Sequence, residues 1–431
     1  MTLSQPAGTL PLNRLDELFL ALDAGDEPWN VHFEVRARGR LDVDRLTDAV
    51  REAALRHPLA RARLADWRFS DRSYGWEIAD ALVEVPLEVV ECDGAAAVAA
   101  ARERLLSRSP ALDAAPPFTM LLAREPATDT LVLNLHHAAC DGIGAARLML
   151  SIMRAYAGVD DPTPPLDLLA ARDVRALAGA TSITDRVVRM RALARHTARQ
   201  WTRAARVAVD AGDDRPGYGV ELLALTSAET AAVVARRTEG TTVNDVLLAA
   251  LAVTIRRWNA GHGEGARRVT LSMPVNLRPP EWQSEVVSNF ASYVTVSATT
   301  ADDLPSALEH VGEQTRAIKS EGLGGLVVDM LAGYSRLTIA AKRRLPDVLA
   351  LTGPMVIDTA SLSNLGRLPG LGDDVDGVWV SPPGRMPLGT AIGVATYDDR
   401  LHLALRYRHS QFDAAAARAF ADSYRDVLLT G

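Results

Sequence analysis

At 431 residues the chain exceeds the size at which one hydrophobic core usually keeps growing, so two lobes are expected. Hydrophobic residues make up 48% and charged residues 23%, a globular balance that excludes a disordered or fibrous polymer. A formal charge of -7 leaves no overall basic footprint for a nucleic-acid binder.

The N-terminus, Met1-Thr2-Leu3-Ser4-Gln5-Pro6, carries no positive region followed by an apolar run, and no later stretch is long and apolar enough for a bilayer, so a cytoplasmic protein without a membrane span is expected. Val31–Arg36 alternates like a strand, and a helix using Leu46, Ala49, Val50, Ala53 and Ala54 follows it and stops near His57-Pro58. Short apolar runs from Trp76 to Val90 suit strands, and Ala95–Leu106 has the spacing of a helix. Phe118–Ala123 and Leu131–Leu135, separated by Pro126-Ala127-Thr128-Asp129, predict two hairpin strands. The second delivers its end to His136 and His137, and Asp141-Gly142-Ile143-Gly144 then opens a helix through Leu150. Gly158–Leu168, rich in proline and aspartate, reads as a linker, and Arg172–Val209 as arginine-rich connecting helices.

The second half opens on a strand at Val220–Leu225 and a helix start at Thr226. An apolar, buried helix spans Val246–Trp258, with Asn244 as its expected cap. Val269–Val275, Tyr293–Ser297 and Met355–Ala360 read as strands, Asp303–Ile318 and Leu323–Leu337 as helices. Gly389–Ala395 and Leu401–Tyr407 close the chain as strands before a helix over Asp413–Leu428. The basic cluster Lys342-Arg343-Arg344 reads as a solvated helix end. The scattered tryptophans, among them Trp67, Trp201 and Trp282, form no stacking platform.

The chemistry concentrates in His136-His137-Ala138-Ala139-Cys140-Asp141-Gly142. Residues at a strand end, held by a tight glycine turn and a following helix, are placed rigidly while facing a cleft. Asp141 is suited to cap that helix or to bind an arginine, and Gly142 to adopt backbone geometry costly for other residues. Adjacent histidines on a strand end point to opposite faces and no third ligand is apparent, so a metal site is disfavoured. Cys92 and Cys140 show no metal spacing, and Cys140 reads as a buried structural thiol. No Gly-x-Ser-x-Gly elbow marks a serine hydrolase, and Gly322-Leu323-Gly324-Gly325 and Gly370-Leu371-Gly372 lack the spacing of a phosphate or dinucleotide loop.

The motif His-His-x-x-x-Asp-Gly at His136–Gly142 resembles the signature of the superfamily that includes chloramphenicol acetyltransferases, peptide-synthetase condensation domains, polyketide-associated acyltransferases and bacterial wax-ester synthase-like enzymes. Pro11–Asp16, Thr242–Ala250, Pro274–Pro279, Ser288-Asn289-Phe290 and Ser363–Gly366 resemble further segments in the expected order along nearly the whole chain. The aromatic-glycine signature of the plant branch is absent. The resemblance implies an α/β fold of two chloramphenicol-acetyltransferase-like lobes, residues 1–170 and 171–431, each a mixed sheet with flanking helices, arranged as a V around a central tunnel.

It further implies His137 as a general base serving an acyl-CoA or phosphopantetheine-linked thioester, which is a substrate; no tightly bound cofactor is expected. His136 packs or orients the base. Asp141 is assigned an ion pair with Arg278, with orientation of His137 as the alternative. Gly142, Ser288, Asn289, Ser363 and Asn364 are the candidates for stabilising the oxyanion. The preferred expectation is acyl transfer to a hydroxyl acceptor, by a transferase of specialised or lipid metabolism, because Pro274–Pro279 and Ser363–Gly366 look like ester-forming relatives. Two alternatives stand beside it: a condensation-type amide-forming enzyme, and an inactive module that binds an acyl or peptidyl carrier protein. The expected partners are a small alcohol or amine, or a carrier protein, with the chain itself a monomer.

Overall fold

The computed structural model describes residues 9–23, 27–199, 204–265, 268–298, 303–344, 347, 358–386 and 388–431. The chain is a two-lobed α/β protein, each lobe built on a mixed sheet with flanking helices. Strands β1 (Thr9–Pro11), β3 (Ala62–Leu64) and β4 (Gly75–Ile78) form a small antiparallel sheet beside the lobes, with β4 central.

The first lobe's sheet contains β2 (Asn30–Arg38), β5 (Leu87–Glu91), β6 (Phe118–Arg124), β7 (Thr128–His136) and β12 (Val375–Ser381), in the order β12-β2-β7-β6-β5. All neighbours are antiparallel except β5 and β6. Helices α2 (Val43–Arg56) and α4 (Gly142–Ala157) cover it with the apolar face that the sequence period predicts. On the other face lies α3 (Ala95–Leu106), where Arg102 reaches Glu34 through two contacts of 2.5 and 2.7 Å. Burial opposes ionisation of Glu34 most strongly, yet Arg102 and His32 together outweigh it and hold the carboxyl at about 2.

The second sheet runs β10 (Ala291–Ala298), β9 (Val269–Asn276), β11 (Ala360–Arg367), β13 (Thr390–Tyr397), β14 (Arg400–Arg408), β8 (Tyr218–Ala224), with β11 parallel to both neighbours. Helices α7 (Ser227–Ala235), α8 (Val243–Gly261), α9 (Leu304–Ser320) and α12 (Ala414–Thr430) pack around it, α8 at the centre. Val246, Leu247, Leu248, Leu251, Val253 and Ile255 of α8 are fully buried, each contributing roughly 1.5–3 kcal/mol relative to exposure. The connecting segment holds α5 (Val174–Ala178) and α6 (Ile183–Arg199), and the short α10 (Leu326–Met330) and α11 (Ile339–Lys342) follow α9.

Several local expectations change. Thr242, not Asn244, caps α8: its hydroxyl accepts from Asp245 N, and Asp245 returns the bond to Thr242 N, a closed capping box. Asn244 already lies in the first turn. Leu323–Leu337 is not one helix but a 3-10 turn, α10 and a second 3-10 turn. A side chain at Gly324 would come within 2.9 Å of Val275, so the chain is pressed too closely against β9 for a regular helix of bulkier residues. The expected strand at Met355–Ala360 falls largely outside the described residues, and the observed strand starts at Ala360 and carries Ser363 and Asn364. Helix α1 (Arg14–Leu22) was not anticipated, although Asn13 and Asp16 spell its capping box.

The lobes interlock through backbone. Strand β12 leaves the second half of the chain to pair with β2, and next to it β13 continues the second sheet. Where they pass, a Cβ on Gly393 would fall 1.8 Å from the carbonyl oxygen of Val380, so only glycine fits. Arg406, fully buried, spans the same junction by donating to Asn30 O, Asn30 Oδ1 and Leu106 O. Gly393→Ala is therefore expected to lose more than the roughly 1–3 kcal/mol of ordinary overpacking; urea unfolding measures it, and a change below 0.5 kcal/mol, about the size of a neutral surface substitution, would contradict the tight crossing.

Candidate active site

A cavity of about 620 Å³ opens between the two sheets, lined by Phe19, Trp29, His137 and Gly142 from the first half and by Tyr293 and Ser363, among others, from the second. His137 follows directly on β7. Its N-H donates to Trp29 O at 2.9 Å, and its own carbonyl accepts from Asn289 Nδ2 at 2.9 Å, so both lobes hold its backbone. The imidazole lies 4.3 Å from the Phe19 ring and stacks more distantly on Trp29, and its Nε2 is 3.3 Å from the Tyr293 hydroxyl. Burial lowers the His137 pKa to about 4, against the opposite pull of its own main chain and of Asp141. The ring is consequently neutral at pH 7, with Nε2 available to accept a proton.

His136 faces away from the cavity. Its Nδ1 accepts from Ala138 N at 3.1 Å, which leaves the proton on Nε2, 3.3 Å from Asp23 Oδ2. This pins the strand end to the loop carrying Trp29, whose N-H also bonds Asp23 at 2.7 Å.

Asp141 joins the lobes. Arg278 approaches it with two parallel contacts of 2.8 Å, while Gly144 N donates to one carboxylate oxygen at 2.9 Å and Phe290 N to the other at 2.8 Å. Burial is the largest influence and opposes its charge, but Arg278 together with the Gly144 and Phe290 N-H groups outweighs it and holds the carboxyl below its ordinary range. The carboxylate is thus committed to the helix end and the second lobe. Arg278 is itself anchored by Val286 O, Ser288 O and Asn276 Oδ1. Gly144 has no room for a side chain, since a Cβ would lie 2.4 Å from Cys140 Sγ and 3.1 Å from Ser288 O. Burial, reinforced by Asp141, pushes the Cys140 thiol well up and keeps it inert.

The remaining sequence candidates separate into two groups. Gly142, Ser363 and Asn364 line the cavity, and Gly142 opens α4, where a main-chain N-H has no partner within the helix. Ser288 and Asn289 do not line it: the Ser288 hydroxyl accepts from Arg172, and the Asn289 amide is spent on the His137 carbonyl. Phe19, Trp29 and Tyr293 were missed from the sequence. Alternation along β10 places Ala291 and Tyr293 on one face, but which face meets His137 is invisible without the second sheet. Ser151, His57 and Asp161 also meet, yet Asp161 bonds Ser151 rather than the histidine and all three are buried behind α4, which makes a structural tie and not a triad. Among the described residues, no group of three or more metal-ligating side chains converges, and no helix is long and apolar enough to cross a membrane.

Residues 17–168 match the family described as Condensation domain. The uncharacterized protein Rv2305 of Mycobacterium tuberculosis is 39% identical over 98% of this chain and 99% of its own length. Among solved structures, the epimerization domain from the third module of tyrocidine synthetase B matches with a TM-score of 0.66 at 18% identity, covering 98% of this chain and 95% of that one. A starter condensation domain of rhizomide synthetase, in complex with C8-CoA and Leu-SNAC, matches with a TM-score of 0.68 at 15% identity, covering 98% and 94%.

These matches correct the expectation of a hydroxyl-directed acyltransferase. Residues 17–168 match a condensation domain, and an epimerization domain and a starter condensation domain share the fold, so the transferase reading and its lipid-metabolism assignment give way to the condensation alternative. The physical reason is plain in the structure: Pro274–Pro279 and Ser363–Gly366 are pieces of β9, β11 and the Arg278 anchor. They build the sheet and part of the cavity wall, and nothing in them encodes whether oxygen or nitrogen attacks.

Removing one partner of a buried pair leaves the other charge uncompensated, at a cost of about 3–5 kcal/mol. Asp141→Asn should show that loss in chemical denaturation, with Arg278→Met in the same chain recovering part of it. A loss below 1 kcal/mol, the usual worth of an exposed pair, would remove the pair from its role in joining the lobes.

Proposed function

This chain belongs to the family of the Mycobacterium tuberculosis protein Rv2305 and carries a condensation-type fold, and from that premise we propose that it forms amide bonds between a thioester-activated acyl group and an amine. The observation that carries the reading is the neutral imidazole of His137, buried in a cavity to which both lobes contribute. In the proposed reaction the amine nitrogen attacks the thioester carbonyl carbon and the carbonyl electron pair moves to oxygen. His137 Nε2 takes the proton from nitrogen as the N-C bond forms. The tetrahedral species then collapses, the C-S bond breaks, and the proton on His137 passes to the departing sulfur, leaving amide and thiol. Such a base contributes about 100-fold to 10,000-fold to rate.

The acyl donor in this reading is a phosphopantetheine-linked thioester presented by a carrier protein, and enclosure between lobes protects it from water. Asp141 and Arg278 act as positioning residues that keep the lobes at the separation His137 requires. Gly142 N and the cavity-facing Ser363 and Asn364 supply polar contacts to the substrate. The charged side chains on the wall already have partners: Glu27 accepts from Tyr218 Oη at 2.6 Å and pairs with Arg408, and Arg385 donates to Leu22 O. What remains toward the first lobe is largely apolar, including Leu18, Phe19, Leu22 and Trp29. An uncharged, mainly apolar substituent fits that wall without leaving a buried charge unpaired.

His137→Ala is expected to lower amide formation at least 100-fold, followed by product mass with a panel of acyl thioesters and amines, while circular dichroism and melting stay unchanged. Equal turnover by the variant would end the assignment, and carrier-protein binding without turnover by either protein would favour a docking module. Because the base works unprotonated and its pKa is lowered to about 4, its contribution is present above that value and lost as pH falls through it. With a weakly basic amine the rate should stay level from neutrality down to about pH 5; a decline centred near the ordinary histidine value of about 6.5 would show an unburied base.

A further inference from the structure

Tyr293 sits on β10 opposite Pro274, and its side chain reaches the cavity beside the base. The ring is held edge-on to Phe19 at 5.9 Å, and its hydroxyl meets His137 Nε2 at 3.3 Å. Burial, aided by the Asp141 carboxylate, pushes the phenol well above its ordinary value, so it carries its proton at any working pH. With its proton on Nδ1, neutral His137 offers one lone pair at Nε2, and the phenol O-H is positioned to donate to it.

That lone pair is also the one an attacking amine must use. Both donors cannot occupy it, so the arriving N-H displaces the phenol from Nε2. A buried hydroxyl left without an acceptor costs about 1–3 kcal/mol, which favours a replacement acceptor close by. The amine nitrogen lies about 3 Å from Nε2 when its proton transfers, and the carbonyl oxygen that gains charge is two bonds further on, within reach of a hydroxyl already beside the imidazole. We infer that Tyr293 is a catalytic residue whose O-H moves from His137 in the empty site to the developing oxyanion of the tetrahedral species. Donation there stabilises charge that exists only as the N-C bond forms. Ser288 is committed to Arg172 and Asn289 to the His137 carbonyl, so of the oxyanion candidates only Gly142, Ser363 and Asn364 face the cavity, and Tyr293 is the donor beside Nε2 itself.

The inference rests on the amide-forming reading and is tested on the full chain with Tyr293→Phe, which keeps the ring packed on Phe19 and removes only the hydroxyl. With the best acyl thioester and amine pair of the wild type, kcat is expected to fall about 100-fold, the loss associated with one oxyanion donor, while KM changes less than about threefold, since uniform binding is untouched. In the substrate-free protein, NMR should show the His137 Nε2 nitrogen resonance shift in the variant, because the phenol donor to it has gone. A wild type that makes no amide with any pair overturns the reaction itself. An active wild type with kcat unchanged in Tyr293→Phe, or with the loss confined to KM, overturns only the role of Tyr293. An unchanged Nε2 resonance would likewise remove the bond to His137 on which the inference is built.

Discussion

The pair between Asp141 and Arg278 is the constraint on which the rest of the site depends. One carboxylate caps α4, fixes Phe290 N at the start of β10 and receives the guanidinium from the end of β9. A buried pair of this kind adds little net stability compared with an apolar replacement, because desolvation offsets most of the attraction. Its worth lies in specificity of arrangement: a single relative position of the lobes brings both Arg278 Nη atoms, Gly144 N and Phe290 N onto one carboxylate. His137 and Tyr293 come from opposite sides of that joint, so a shift of one ångström would separate them.

Burial then does the electrostatic work. Asp141 is close enough to raise the basicity of His137, yet desolvation prevails and the imidazole stays neutral. The same desolvation keeps the Tyr293 phenol and the Cys140 thiol protonated. Three titratable groups are thereby set in the forms proton transfer needs: one acceptor, one donor and one bystander. The enclosing surface is not a local property of the motif but of two sheets meeting, which is why the crossing of β12 over β13 at Gly393 and the buried Arg406 matter to chemistry some distance away.

Much of this was legible in the sequence, and the legible part has a common physical basis. Helix α3, the hairpin β6–β7, helix α4 and the closing strands follow from hydrophobic period, proline and glycine, all of which act within a few residues. The motif at His136–Gly142, the strand ending into it and the glycine turn leaving it are likewise local. So was the Asn13–Asp16 capping box of α1, a signal present in the sequence and passed over.

What the sequence by itself determined, then, is the existence and kind of most elements and the division into two lobes. Tertiary structure alone decided that β12 returns to complete the first sheet and that Ser288 and Asn289 are consumed as ties while Tyr293 faces His137, whereas the pairing of Asp141 with Arg278, 137 positions away, was already implied by the resemblance. Strand alternation assigns residues to two faces but cannot say which face meets the other lobe, and burial, which sets every protonation state here, is a sum over surfaces brought together from both ends of the chain. The nature of the attacking atom was least legible of all, because the segments that suggested an ester build sheet and cavity wall without fixing which atom of an acceptor meets His137.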